Sequence, residues 1–418
     1  MMTNASTPLA QAAYQEATLP CGLRVIYHPL PSDVVYCGYV VCAGTRHEEP
    51  ADSGMAHFIE HMTFKGTQRR RACHILNGLE RVGGDLNAYT TKQETVYYAA
   101  VMRQDVGRAI DLLSDMVFHS TYPQREIDRE VEVICDEIDS YKDSPAELIY
   151  DEFEARLFAG HGLGRDILGS PERLRAYRTA DALRFTQRYY RPANCVFYAC
   201  GQLRFSRLLQ LLGKALKGVS GGSPAPLPGP VPEVAPFEAV VHKPIHQAHV
   251  LLGGRTFGGT DARRHALVLL SNLLGGPGMN SRLNVALRER AGLVYTVETS
   301  LATYPDTGAW NLYFGCDPHD VSRCLRLVRR ELTRLVRQPL TPGQLQSARK
   351  QLKGQTGISR NHFEGSALAL ARTYAHYHRP NDLAAFYAGL AAVTPADVQQ
   401  VAADFFHPDH LNLLIYEP

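Results

Sequence analysis

Two hydrophobic periods share the chain. Over residues 105–118, 125–141 and 145–157 apolar side chains recur at intervals of three and four, the spacing that gives a helix one apolar face. Residues 341–359 read the same way, with Thr341 placed to cap the first turn and Pro342 inside it. Residues 23–27, 34–42, 95–102, 248–253 and 310–316 are short alternating or wholly apolar runs and predict strands. Strands clustered together and joined by long helices predict an α+β fold, each domain a mostly antiparallel sheet packed against helices.

One stretch breaks both periods. Residues 218–236 hold six prolines and four glycines in nineteen positions, which predicts a semi-extended linker. It divides the chain into an N-terminal domain, 1–217, and a C-terminal domain, 237–418. The two share an ending. Asp181 in an amphipathic run is followed eleven residues later by Pro192 and an apolar strand, and Asp397 is followed by Pro408 and a strand at the same spacing. Two near-equal halves with one shared ending predict a duplicated domain.

Composition narrows the class. The 418 residues include 44 basic and 42 acidic side chains, a net charge of +2, so neither nucleic acid nor an anionic membrane surface is expected as partner. The longest apolar stretch, residues 34–43, is too short to span a bilayer. Nine cysteines contain no CxxC pair, which favours free thiols in a reducing compartment. The first seventeen residues lack Lys and Arg and fit no targeting peptide. The expectation is a cytoplasmic protein.

The chemistry concentrates in His57-Phe58-Ile59-Glu60-His61. On a helix the two histidines lie about 40° apart and Glu60 falls on the same side. Two imidazoles and a carboxylate on one face suit a catalytic zinc site, in which nitrogens hold the metal and a nearby base activates water. A third ligand is needed. In the helix expected over 125–141 the apolar stripe is Ile127, Val131, Ile134 and Ile138, with Glu130 and Glu137 together on one flank. Both are expected to be semi-buried, a costly position for a carboxylate unless a cation compensates.

HxxEH is the inverted zinc motif of the inverzincins, and the surrounding segment from Gly54 to Thr67 resembles the pitrilysin family of zinc peptidases. The resemblance is strongest to its half-length branch, which includes mitochondrial processing peptidase and its bacterial relatives. It continues through Gly83-Gly84-Asp85-Leu86-Asn87-Ala88-Tyr89-Thr90 and reaches Ser281-Arg282-Leu283, Arg288, Gly292-Leu293 and Tyr295. It implies that His57, His61 and Glu137 bind one Zn²⁺ per chain, with Glu60 as general base and Glu130 supporting a ligand histidine. It implies a zinc endopeptidase acting on unfolded peptides in an enclosed chamber, with substrate added as a strand along Asn87, Ala88 and Tyr89. The Arg288/Tyr295 pair is implied to grip substrate carbonyls, reaching the metal site from the facing subunit of a homodimer. On the residues alone, Arg288 and Tyr295 share a face if the segment is helical up to Gly292.

Two readings of other classes stay open at this point. One is a peptidase subunit active only with a separate partner chain, and the other is a non-catalytic scaffold subunit of the same family. The second half offers no ligands of its own, since its nearest equivalent to HxxEH reads Leu273-Leu274-Gly275-Gly276-Pro277-Gly278-Met279. That run predicts a tight turn between two helices, or a border of the chamber if the family holds.

Overall fold

A computed structural model describes residues 14–226 and 228–418. The segment 1–13, whose composition argued against a targeting peptide, lies outside the described residues. The first domain runs β1 (Gln15–Thr18), β2 (Arg24–Pro29), β3 (Val34–Val41), α1 (Met55–Thr63), α2 (Ala72–Glu80), β4 (Asp85–Thr90), β5 (Thr95–Met102), α3 (Val106–His119), α4 (Gln124–Lys142), α5 (Pro145–Leu157), α6 (Pro171–Ala176), α7 (Thr179–Tyr189), β6 (Cys195–Gly201) and α8 (Phe205–Ala215). The second runs β7 (Glu238–His242), β8 (Ala248–Thr256), α9 (Arg264–Gly275), β9 (Val294–Thr303), β10 (Gly308–Cys316), α10 (Val321–Arg337), α11 (Pro342–Ser359), α12 (Phe363–Tyr377), α13 (Leu383–Ala392), α14 (Pro395–Phe406) and β11 (Asn412–Glu417). The helices and strands expected from periodicity are all present, with ends shifted by no more than about three residues, the ordinary uncertainty of element ends.

The duplication is visible in the sheets. Their strand orders are β1-β2-β6-β3-β5-β4 and β7-β11-β8-β10-β9. Without β1 the two orders correspond strand for strand. In each, the last strand of the domain inserts parallel to the first, β6 beside β2 and β11 beside β7, while the remaining pairs are antiparallel. The shared ending read from sequence builds this insertion. α7 and α14 each lead through a short 3₁₀ turn, Pro192–Asn194 or Pro408–His410, into the parallel strand.

Each sheet buries one face under helices of its own domain and the other under a helix of the opposite domain. Leu370, Ala371 and Tyr374 of α12 pack with Ile26, Val40, Val96, Val196 and Tyr198 of the first sheet. Ile149, Phe153 and Leu157 of α5 pack with Leu251, Tyr313, Leu414 and Tyr416 of the second. α5 and α12 follow the equivalent helices α4 and α11, so the exchange is reciprocal. Burying apolar surface from both partners at each crossing joins the domains firmly.

The Pro/Gly segment carries no helix or strand among its described residues. It is laid against the body rather than free. Val219 and Ala225 pack on the first core and Val231 on the second sheet, and the Ala225 N–H donates to Asn194 Oδ1 at 3.2 Å. All nine cysteines are free. Among the described residues no helix is long and apolar enough to cross a membrane.

Candidate metal centre

The site is built on α1, whose start is fixed by backbone geometry. Gly54 precedes it at φ +83°, and a Cβ there would meet Gly169 Cα at 2.7 Å, so residue 54 must be glycine on both counts. Gly54 has no side chain to cap the helix. Glu48 does so instead, its Oε2 accepting from Gly54 N–H at 3.0 Å and its Oε1 from Ala56 N–H at 2.8 Å. Burial pushes the Glu48 carboxyl up to about 8, against the pull of the two amides and of Arg165. Sequence reasoning missed Glu48. The available signal was an acid just upstream of a helix whose own first position offers no cap.

One turn apart on α1, His57 and His61 place their rings 4.6 Å apart. Glu137 of α4 faces both, with Oε1 3.8 Å from His57 Nε2 and Oε2 3.5 Å from His61 Nε2. Zinc bonds of about 2.0–2.2 Å set neighbouring ligands of a tetrahedron roughly 3.3–3.6 Å apart. The three donor atoms all lie within 4.8 Å of one another, and two nitrogens with one carboxylate oxygen are a donor set zinc accepts. The cluster fits the metal.

Around it sit groups that aim the donors. His61 Nδ1 and Glu130 Oε1 are 3.0 Å apart, and Lys65 Nζ is 2.5 Å from the other Glu130 oxygen. Burial raises the Glu130 carboxyl, but the bonds to His61 and Lys65 outweigh it and hold it below the usual range. For His61 burial works downward, and the Glu130 bond with the neighbouring carboxylates holds the ring above its ordinary value. His57 is pushed down to about 3 by burial and then by His61. An imidazole held neutral keeps one ring nitrogen with a lone pair to offer a metal. Its Nδ1 is buried with no hydrogen-bond partner among the described residues.

Glu60 stands beside the cluster. Its Oε2 accepts from the Thr90 hydroxyl at 2.6 Å. Burial raises its carboxyl, Thr90 and His61 draw it down, and Glu137 adds to the rise, for a net upward shift. Thr90 ends β4, the strand at the edge of the first sheet. Leu86 and Ala88 of β4 pack towards the α1 layer, whereas Tyr89 packs into the layer under α12. Asn87 is exposed, and its Oδ1 accepts from the Ala88 N–H at 2.8 Å.

Two expectations need correction. Glu130 is buried more deeply than expected, at 7% exposure, enclosed by His61 and Lys65, whereas the Glu137 side chain is 45% exposed. Arg288 and Tyr295 do not share a helical face. Arg288 lies in a π-helical turn, Asn284–Glu289, Gly292 takes φ +63°, and Tyr295 is already in β9. They meet across that turn instead, the guanidinium carbon 5.5 Å from the ring centroid. Tyr295 is 82% exposed, and among the described residues no hydrogen bond or ion pair joins either residue to His57, His61 or Glu137.

Two duplicated α+β domains with an HxxEH cluster on the first define a class, and similarity to known proteins gives its family. Residues 24–171 match the family described as insulinase (peptidase family M16), and residues 178–352 match the peptidase M16 inactive domain. A zinc protease of Streptomyces coelicolor is 33% identical over 400 residues, 93% of this chain and 86% of that protein. The zinc protease YmxG of Bacillus subtilis is 32% identical over 343 residues, 81% and 82% of the two chains. A protease from Helicobacter pylori has the same fold, with TM-score 0.89 at 23% identity over 97% of this chain and all of that one. The chain belongs to the M16, or pitrilysin, family of zinc peptidases.

Proposed function

We propose that this chain is a zinc-dependent endopeptidase that cleaves unfolded peptides, with His57, His61 and Glu137 holding one Zn²⁺ and Glu60 acting as general base. The observation that carries the reading is the convergence of two imidazole nitrogens and a carboxylate beside a second carboxylate held by Thr90. Bound Zn²⁺ supplies Lewis-acid polarisation of the scissile carbonyl and lowers the pKa of the attacking water towards about 7.

The chain's own groups do the rest. Thr90 occupies Glu60 Oε2, leaving Oε1 to take the proton of the attacking water. Glu60 then passes that proton to the leaving amine. Glu130 keeps the His61 ring turned so that Nε2 faces the metal position.

Substrate would add as a strand to the free edge of β4, bonding through main-chain groups. The Ala88 N–H would exchange its bond to Asn87 Oδ1 for a substrate carbonyl. Tyr89, turned into the other layer, would contribute only its backbone. The half-buried Arg288 and the exposed Tyr295, in contact with each other, would complete the site of a second copy across a homodimer that encloses a chamber. The test is mass spectrometry of a pool of unstructured peptides of roughly 10–30 residues, a length suited to an extended groove. Cleavage that stops on chelation and returns with Zn²⁺ supports the reading, and no cleavage by zinc-loaded protein overturns it.

A further inference from the structure

Apart from the metal cluster, a cavity of about 400 Å³ opens where α12 and the α12–α13 loop meet the β4–β5 turn of the first domain. That volume lies in the range of small-molecule sites, about 300–1,000 Å³. Its wall is charged in one sense. Arg264, Arg372, Arg379 and His376 line it, with Asp382 as the single lining acid.

Most charges near this cavity are already committed. Glu94, 1% exposed, lies 2.6 Å from both Arg372 Nε and His376 Nε2. Asp382 caps α13, accepting from the Ala385 N–H at 3.0 Å. Asp306 pairs with Arg46. Arg264 and Arg379 are left over. Among the described residues Arg379 has no ion pair or hydrogen bond, and Arg264 makes only a long 3.4 Å bond to the Asp261 carbonyl. Neutral donors converge on the same space. Gln93 is 8% exposed, yet its carboxamide has no partner among the described residues. The Tyr377 hydroxyl, also without a partner there, fits only because residue 259 is glycine, since a Cβ at that position would lie 2.1 Å from it.

We infer that this cavity binds a small phosphate-bearing molecule. Two guanidinium forks, a phenol and a carboxamide line the cavity from different segments of the chain, a donor set that suits the tetrahedrally arranged oxygens of a phosphate better than the two coplanar oxygens of a carboxylate. The bound anion would neutralise the uncommitted charge of Arg264 and Arg379. It would also touch both domains, through Gln93 on one side and α12 on the other. The site lies outside the machinery proposed for peptide cleavage, so either reading can fail without the other.

The test is calorimetric titration of the full zinc-loaded chain with phenyl phosphate at constant ionic strength, with benzoate as the carboxylate arm. Arg264→Gln/Arg379→Gln and the single variant Arg379→Gln are compared, each checked for an unchanged unfolding temperature without ligand. Expected is one phenyl phosphate per chain, weakened at least about tenfold in the double variant and measurably in the single one. The single variant carries the test should the double one fail to fold. No binding at millimolar phenyl phosphate, or equal binding by the variants (an adventitious ion only), overturns the proposal. Benzoate binding as tightly as phenyl phosphate overturns the phosphate assignment.

Discussion

The Thr90 hydroxyl donates to Glu60 Oε2 at 2.6 Å, so the edge strand that would receive substrate and the carboxylate that would activate water are directly bonded. Removing the donor while keeping its shape, in Thr90→Val, frees that carboxylate to rotate. A hydrogen bond to a charged group contributes roughly 1.5–3 kcal/mol, so kcat should fall about tenfold or more with KM little changed. Thr90→Ser should recover most of the loss. Steady-state kinetics on one peptide decide it, and an unchanged kcat in Thr90→Val would remove Thr90 from the account.

Glu130 holds His61 from behind, at 3.0 Å from Nδ1. Glu130→Gln should weaken zinc binding roughly ten- to a hundredfold, the usual effect of losing such a partner. Competition against a chromophoric chelator measures this without reference to activity. Equal affinity in the variant would mean that the ring is positioned by packing alone.

Among the described residues neither Arg288 nor the exposed Tyr295 it contacts bonds to the metal cluster of its own chain. Mixing a Glu60→Gln chain with an Arg288→Ala/Tyr295→Phe chain should therefore restore one working site per mixed dimer, up to half the wild-type rate if every mixed dimer forms. Activity that stays at the level of the separate variants after verified subunit exchange contradicts action in trans.

Glu94 predicts how stability depends on pH. Burial opposes its ionisation, but His376 and Arg372 outweigh this and hold the carboxyl down at about 2, against an ordinary 4.5. A depressed folded-state value stabilises the fold above the unfolded value, and that contribution fades as pH falls from about 4.5 towards 2. The shift corresponds to on the order of 3 kcal/mol. Urea unfolding of wild type and Glu94→Gln should differ most near pH 6, with the gap narrowing at pH 3. A constant gap would show that the pair contributes through shape rather than charge.

Much of this was legible from local pattern. His57, Glu60 and His61 share one turn of α1, and a 3.6-residue period suffices to put them together. Glu130 and Glu137 fell on one flank of a stripe that is buried as read, from Ile127 to Ile138. Their unequal burial was not legible, because it depends on what other elements bring to each turn of α4, such as the Lys65 and His61 side chains that enclose Glu130. The helical relation of Arg288 to Tyr295 failed at Gly292, whose left-handed φ turns the chain into β9 before the second residue is reached. The exchange of α5 and α12 was beyond periodicity, which shows that a helix has an apolar face but not which sheet will cover it. Glu48 was missed for a related reason. A cap supplied from outside the helix leaves no mark on the helix's own sequence.

The most direct test of the central claim compares wild type with Glu60→Gln after both are stripped of metal and reloaded with Zn²⁺, reading bound zinc and peptide cleavage on the same samples. One zinc per chain is expected in each, with cleavage by the variant reduced about a hundredfold or more, as loss of a general base requires. Cleavage by zinc-loaded Glu60→Gln at the wild-type rate, or chains that bind no zinc yet still cleave, would contradict that claim.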